Sequence, residues 1–230
     1  MSLGNRVFLK RNLPSKELVE AFRGIPAANI EDCMNRIFGL NPEIKRLSSP
    51  GRMMVGVALT VKTRPGDNLM IHQALEMAGE GDVIIVSNEG DRSRALIGEV
   101  MAQYAQCTRK IEGLVFDGAI RDIDEISKME MPVYATGCTP SGPFKEGPGE
   151  VNVPIAIGGV PVMPGDIIIG DGDGVIVIPQ NDAERLLEEA KVVSVKDAEK
   201  VQAAKNGTSN KKWVSDKLVE KNCTFVDDAY

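Results

Sequence analysis

Histidine is nearly absent: 230 residues contain only one, His72. A zinc site built from imidazoles is therefore excluded, and any Ser–His or Cys–His nucleophile pair would depend on that one residue. Cysteine is sparse as well. Cys33, Cys107, Cys138 and Cys223 lie far apart with no C-x-x-C pair, which removes zinc-ribbon and dithiol redox motifs and leaves reduced thiols as the expectation. No apolar run approaches the roughly 20 residues that span a bilayer, and the N-terminus lacks the apolar segment of a secretory signal. The expected location is cytoplasmic, with no membrane partner. Basic residues form no block longer than "NKKW", and 27 Lys and Arg against 33 Asp and Glu leave a net charge of −6. A nucleic-acid partner, which needs a basic face, is thereby disfavoured. Phosphate loops are missing too: "GEGD" and "NEGD" have neither the Walker lysine nor the G-x-G-x-x-G order. "GDGDGVIVIP" lacks the frame and final glutamate of a calcium loop and reads as a turn between strands. Any metal chemistry must rely on carboxylates.

The chain is 43% hydrophobic, enough for a sizeable core. "PSKELVEAFRGI" has helical spacing with Ser15 as N-cap, and "AANIEDCMNRIFG" repeats it with Gly39 as its stop. From Arg52 onward, strand-like and helical patterns alternate: "RMMVGVALTVK", then "GDNLMIHQALEMAGEGD", "DVIIVSN", "RALIGEVMAQYAQC", "IEGLVFDG" and "IRDIDEISKM". That alternation predicts an α/β fold with parallel central strands. After Pro132 the apolar runs are short and divided by Gly and Pro, as in hairpins. An amphipathic segment follows from about Asp182 to Lys205. The division expected is an α/β domain over residues 1–180 and a helical C-terminal extension over 181–230, serving oligomerisation.

Within this frame "VFDGAIRDIDEI" gathers Asp117, Arg121, Asp122 and Glu125 where a buried strand ends. The plain reading is a solvated turn with acidic residues in the first turn of a helix, where the dipole favours them. The sharper one is a metal and oxyanion site. Ligands of parallel α/β proteins gather beyond the carboxyl ends of strands, and a helix start presents free N–H groups to a carboxylate. The turns after "DVIIV" and "LVFDG" should then be neighbours, with Arg121 and Asp122 facing the amides of Gly98, Glu99, Val100 and Met101 across an anion-sized gap. That arrangement suits a 2-oxo acid with a divalent metal. His72 lies inside a helical pattern and reads as structural, outside the site.

"GDNLMIHQAL", "GDVIIV", "GEVMA", "VFDGAIRDIDE", "GPGEVNVPIAIGGVPVMPGD" and "DGDGVIVIP", in this order, resemble the RraA-like family, from about Ile30 to Pro179, and especially its 4-hydroxy-4-methyl-2-oxoglutarate/4-carboxy-4-hydroxy-2-oxoadipate aldolases. The most specific element is R-D-x-x-E, met by Arg121, Asp122 and Glu125. The resemblance implies a single domain of the β/β/α swivelling type, with helical N- and C-terminal extensions, assembled as a trimer or hexamer. It also implies a class II pyruvate aldolase using Mg2+ or Mn2+ and acting on small 2-oxo acids, with oxaloacetate decarboxylation as a companion activity. Arg121 and Asp122 would be catalytic, Asp122 the metal ligand, and Gly98, Glu99, Val100, Met101 and Arg121 the substrate contacts. The other branch of the family implies a non-enzymatic regulator of ribonuclease activity, acting by protein–protein binding. A methyltransferase reading finds no Gly-rich nucleotide motif to support it.

Overall fold

The computed structural model describes residues 2–230. In chain order the elements are β1 (Asn5–Val7), α1 (Lys16–Glu20), α2 (Ala27–Cys33), β2 (Lys45–Arg46), β3 (Met54–Thr63), α3 (Leu69–Met77), β4 (Asp82–Ser87) and α4 (Glu99–Gln103), which runs on as a π-helical stretch to Arg109. Then follow β5 (Gly113–Phe116), β6 (Ala119–Ile120), α5 (Ile123–Ile126), β7 (Val133–Ala135), β8 (Gly137–Cys138) and β9 (Gly149–Val151). The last are β10 (Ile155–Ile157), β11 (Val160–Val162), β12 (Ile167–Gly170), β13 (Val175–Ile178), α6 (Ala183–Lys205) and α7 (Lys212–Glu220).

Strands β3, β4, β5 and β7 pair in parallel, as the alternating pattern predicts. The far edge of β3 is shared, its first half pairing antiparallel with β12 and its second half with β9. Successive residues of a strand face opposite sides, and the core sorts accordingly. Ile84 and Val86 join Leu59, Phe116 and the buried face of α3 on one side. Val83 and Ile85 pack with Val115, Tyr134 and the β10–β11 hairpin on the other. In β12, Ile168 faces the hairpin cluster, while Ile167 and Ile169 meet α1, α2 and the start of α6. The result is the expected β/β/α layering with helical extensions.

Two helices differ from expectation. Ser15 does cap α1, its hydroxyl accepting from the Leu18 N–H at 3.2 Å. But α2 ends at Cys33, well before Gly39, because Asn35 and Arg36 both adopt positive φ; Gly39 instead bridges to Ile176. The predicted helix "RALIGEVMAQYAQC" starts only at Glu99, since Leu96 and Arg121 tie the preceding segment to residues 119–121. In α6 only Ala183, Leu186, Leu187 and Ala190 are buried, so its first two turns belong to the core of the domain, and α7 buries nothing. No helix among the described residues is long and apolar enough to cross a membrane.

The turns following β3, β4 and β5 are chained to one another. The Gly66 N–H donates to Asn88 Oδ1 (2.8 Å), and the Asn88 N–H donates to the Asp117 carboxylate (2.6 Å). Burial pushes the Asp117 carboxyl up to about 6, against the pull of the backbone N–H groups that it accepts. Because its folded pKa lies above the unfolded value, folding favours the protonated form, and stability from this group is lost as pH rises from about 4 to about 6. Asp117→Asn should therefore fare better relative to the wild type near pH 8 than near pH 4, by up to ~3 kcal/mol. Urea unfolding at the two pH values measures this, and an equal difference at both would mean an unperturbed carboxyl.

Candidate active site

Beyond the carboxyl ends of β3, β4 and β5 lies a cleft of about 370 Å3. Each of the three strand-to-helix turns contributes: Asn68, just before α3, and His72 in its first turn, Gly98, Val100 and Met101 from the start of α4, and Arg121 and Asp122 from the start of α5. The segment between β8 and β9 closes the fourth side with Gly142 and Lys145.

The α4 and α5 turns are zipped together. Leu96 N–H donates to Ala119 O (2.9 Å) and Arg121 N–H to Ile97 O (3.0 Å). Asp122 then adopts a left-handed conformation, φ 59 and ψ 41, which aspartate tolerates better than most residues. That bend turns its carboxylate back to accept the Glu99 N–H at 2.9 Å, with Arg121 Nε 3.8 Å away. Its own carbonyl accepts from the Glu125 and Ile126 N–H groups at the start of α5. Arg121 and Asp122 remain 46% and 44% exposed, so both can reach a ligand. Gly98 leaves room for this approach: a Cβ there would fall on the Asp122 carboxylate and come within 3.0 Å of Arg121 Nε, so that both side chains would have to move aside.

The fourth side is fastened to α3. Asp67 is fully buried, and its carboxylate accepts from the Glu146 and Gly147 N–H groups (2.8 and 2.9 Å). Asn68 N–H donates to Phe144 O, and Phe144 N–H to Gly66 O. The Arg94 guanidinium lies 3.9 Å from the Phe144 ring centre, close enough for a cation–π contact, and donates to Gly142 O. His72 is held below the usual histidine range by burial first and by Lys145 second, with Glu76 opposing.

A family model described as Aldolase/RraA matches residues 27–177. The chain belongs to the RraA-like family. A Halalkalibacterium halodurans protein provisionally named 4-hydroxy-4-methyl-2-oxoglutarate aldolase is 41% identical over 175 residues, which are 76% of this chain and 82% of that one. Among solved structures, an uncharacterised protein from Pseudomonas syringae matches with a TM-score of 0.76 at 27% identity, over 86% of this chain and 97% of its own. A Thermus thermophilus structure described as the RNA-processing inhibitor RraA matches with a TM-score of 0.61 at 30% identity, over 67% and 92%.

Of the residues singled out in this RraA-like sequence, Gly98, Val100, Met101, Arg121 and Asp122 are brought together in the cleft. Glu99 is not part of the lining; its N–H is already engaged by Asp122. Glu125, the last residue of R-D-x-x-E, pairs with Lys128. His72, read as structural, lines the cleft beside Asn68. From the sequence, His72 falls outside the site and Asn68 is not singled out, because the expectation rests on only two of the three strand-to-helix turns. The signal was available: "DNLMIH" opens a helix after a third parallel strand, and positions i and i+4 share a helix face.

Among the described residues no three His, Cys, Asp or Glu side chains gather in a metal-holding group. A closed zinc cage is thus not what this donor set fits. A single hard carboxylate, with Oδ2 already bonded, fits an ion such as Mg2+ or Mn2+, which keeps waters and takes substrate oxygens.

Gly98→Ala should separate the two turns. Displacement of the Asp122 carboxylate and loss of its charge-assisted bond to Glu99 are expected to cost about 1–3 kcal/mol. A urea midpoint equal to that of the wild type would show that the Asp122 carboxylate does not bind these turns together.

Proposed function

We propose that this RraA-like protein is a divalent-metal-dependent class II pyruvate aldolase. Its substrates would be 4-hydroxy-2-oxo acids of the 4-hydroxy-4-methyl-2-oxoglutarate and 4-carboxy-4-hydroxy-2-oxoadipate kind, cleaved to pyruvate and a second 2-oxo acid. The observation that carries this reading is the meeting of Arg121, Asp122 and the first N–H groups of α4 in one cleft of small-ligand size.

In an α-helix the first N–H groups have no acceptor one turn back. Those of Val100 and Met101 are therefore suited to hold the 1-carboxylate of the substrate. Cleavage between C3 and C4 leaves negative charge on the pyruvate fragment. Arg121 donates to the 2-oxo oxygen as that charge develops, a role worth roughly 3–4 kcal/mol in comparable sites. Its planar, permanently charged group explains arginine rather than lysine. Asp122 would hold the Mg2+ or Mn2+ ion, which when bound supplies Lewis-acid polarisation of the 2-oxo group. Lys145 and Arg121 give an acidic chain a locally positive cleft, which favours anionic substrates.

The same enolate forms when oxaloacetate loses CO2, so decarboxylation accompanies aldol cleavage. Assembly as a trimer or a dimer of trimers would cover the exposed apolar side chains of the C-terminal region, among them Trp213, Phe225 and Val226. Deleting residues 208–230 should then lower the mass seen by light scattering while leaving the urea midpoint of the subunit little changed; an unaltered mass would assign assembly elsewhere.

The decisive measurement is exchange of the pyruvate methyl protons in D2O, followed by proton NMR. With Mg2+ or Mn2+ the protein should exceed the metal-only control, chelation should stop exchange, and Asp122→Ala should abolish it. Arg121→Lys should lower kcat by about 100-fold or more. Exchange no faster than the control rejects the aldolase and favours the non-enzymatic regulator, a reading supported by the likeness of this chain to the Thermus inhibitor structure.

A further inference from the structure

Asn68 is 2% exposed and lines the cleft. Its Nδ2 donates to Leu96 O at 2.9 Å and contacts Met101 Sδ at 3.5 Å, while its backbone N–H is held by Phe144 O. The amide is thereby oriented from both neighbouring segments, because the reverse orientation would set two oxygens against each other at Leu96. Its Oδ1 is buried and has no hydrogen-bond partner. A buried acceptor left unpaired is costly, and at the wall of a ligand cleft it calls for a donor that arrives with water or ligand. His72 lies one turn further along α3, its N–H bonded to Asn68 O at 3.1 Å, and lines the same cleft.

Resting on the aldolase reading, we propose that Asn68 and His72 form the proton-handling side of this site: Asn68 Oδ1 holds a water against the C4 hydroxyl of the substrate, and His72 takes the proton. An amide oxygen is too weak a base to take the proton itself. By accepting a hydrogen from the water, it leaves a water lone pair facing the hydroxyl. The C4–O–H proton passes through that water to the neutral imidazole. The O–H electron pair becomes the second C4–O bond, and the C3–C4 pair moves onto the pyruvate fragment as its enolate. The imidazolium then returns the proton to C3, giving the pyruvate methyl group, so nothing is consumed. Partial burial and Lys145 lower the His72 pKa from its usual value, against Glu76 one turn on, with Arg121 and Asp122 also lining the cleft; that direction favours the neutral imidazole that can accept a proton.

Loss of CO2 from oxaloacetate needs no base at a C4 hydroxyl, and its enolate can take the C3 proton from solvent, so it separates the C4 proton relay from a merely structural role. Three rates should be compared: cleavage of 4-hydroxy-4-methyl-2-oxoglutarate, pyruvate methyl exchange, and oxaloacetate decarboxylation. His72→Gln should lower cleavage and exchange about 100-fold or more, in keeping with general acid–base catalysis. It should also remove the acid limb of the cleavage profile. In both His72→Gln and Asn68→Leu, cleavage should fall at least about tenfold further than decarboxylation. Asn68→Asp, which keeps an acceptor, should recover part of that ratio. If Asn68→Leu fails to fold, the His72 variant, at a position open to the cleft and only partly buried, still decides. A ratio unchanged in an active enzyme, or three rates falling together, overturns the proton-handling role alone. A wild-type protein catalysing none of the three overturns the aldolase and this role together.

Discussion

The structure depends on keeping the turns after three adjacent parallel strands in register. Strand pairing brings the carboxyl ends of β3, β4 and β5 side by side, but it does not fix the loops beyond them. The chain from Gly66 N–H to Asn88 Oδ1, and from Asn88 N–H to the Asp117 carboxylate, does so. Each bond crosses from one turn to the next, and the Asn88 and Asp117 side chains are buried, so water competes poorly for these partners. Gly118 belongs to this arrangement, since a Cβ there would fall 2.6 Å from Asn88 Nδ2. The burial that keeps this chain dry also pushes the Asp117 carboxyl up, so the interaction aligning the cleft is strained by the charge it carries.

The side of the cleft built by residues 141–147 rests on a second buried carboxylate. Asp67 uses its oxygens for backbone N–H groups on both sides of the α3 turn, at Leu69 and at Glu146 and Gly147. The start of α3 is thus fixed to the segment carrying Lys145 and Gly142. Arg94 adds a second fastening through Phe144 and Gly142 O. These contacts make the cleft walls largely preformed, and a preformed site spends less binding energy on ordering loops when a small ligand arrives.

The sheet was legible in the sequence because parallel strands buried on both faces read as short apolar runs, and "DVIIV" and "LVF" did so. The meeting of Arg121 and Asp122 with the start of α4 followed from the same order of elements. The early end of α2 was not legible: Asn35 and Arg36 carry no glycine-like signal, although asparagine tolerates the left-handed region. Nor was the place of Asn68 and His72. Helical periodicity weighs apolar faces, and the polar residues at the first turn of α3 escape it, although that turn occupies the same edge of the sheet as the other two. The R-D-x-x-E pattern also bundles unlike parts. Arg121 and Asp122 reach the cleft, whereas Glu125 supports α5 through its N–H bond to Asp122 and its pair with Lys128.

Adjacent residues in a strand or helix do not normally point to one place, for side chains alternate across a strand and step about 100° around a helix. For Arg121 and Asp122 to share a cleft, the backbone must break both patterns between β6 and α5. The left-handed conformation of Asp122 is that break. It is held from two sides, by the side chain on Glu99 N–H and by the carbonyl on the first amides of α5. A residue that caps one helix with its carbonyl and binds the start of another with its carboxylate is positioned before any ligand arrives. Such preorganisation is what stabilisation of a developing negative charge requires, because donors that must reorient during the reaction lose much of their value. The pairing of arginine with aspartate in the sequence is therefore meaningful only together with Gly98, whose missing side chain gives the carboxylate room to reach across.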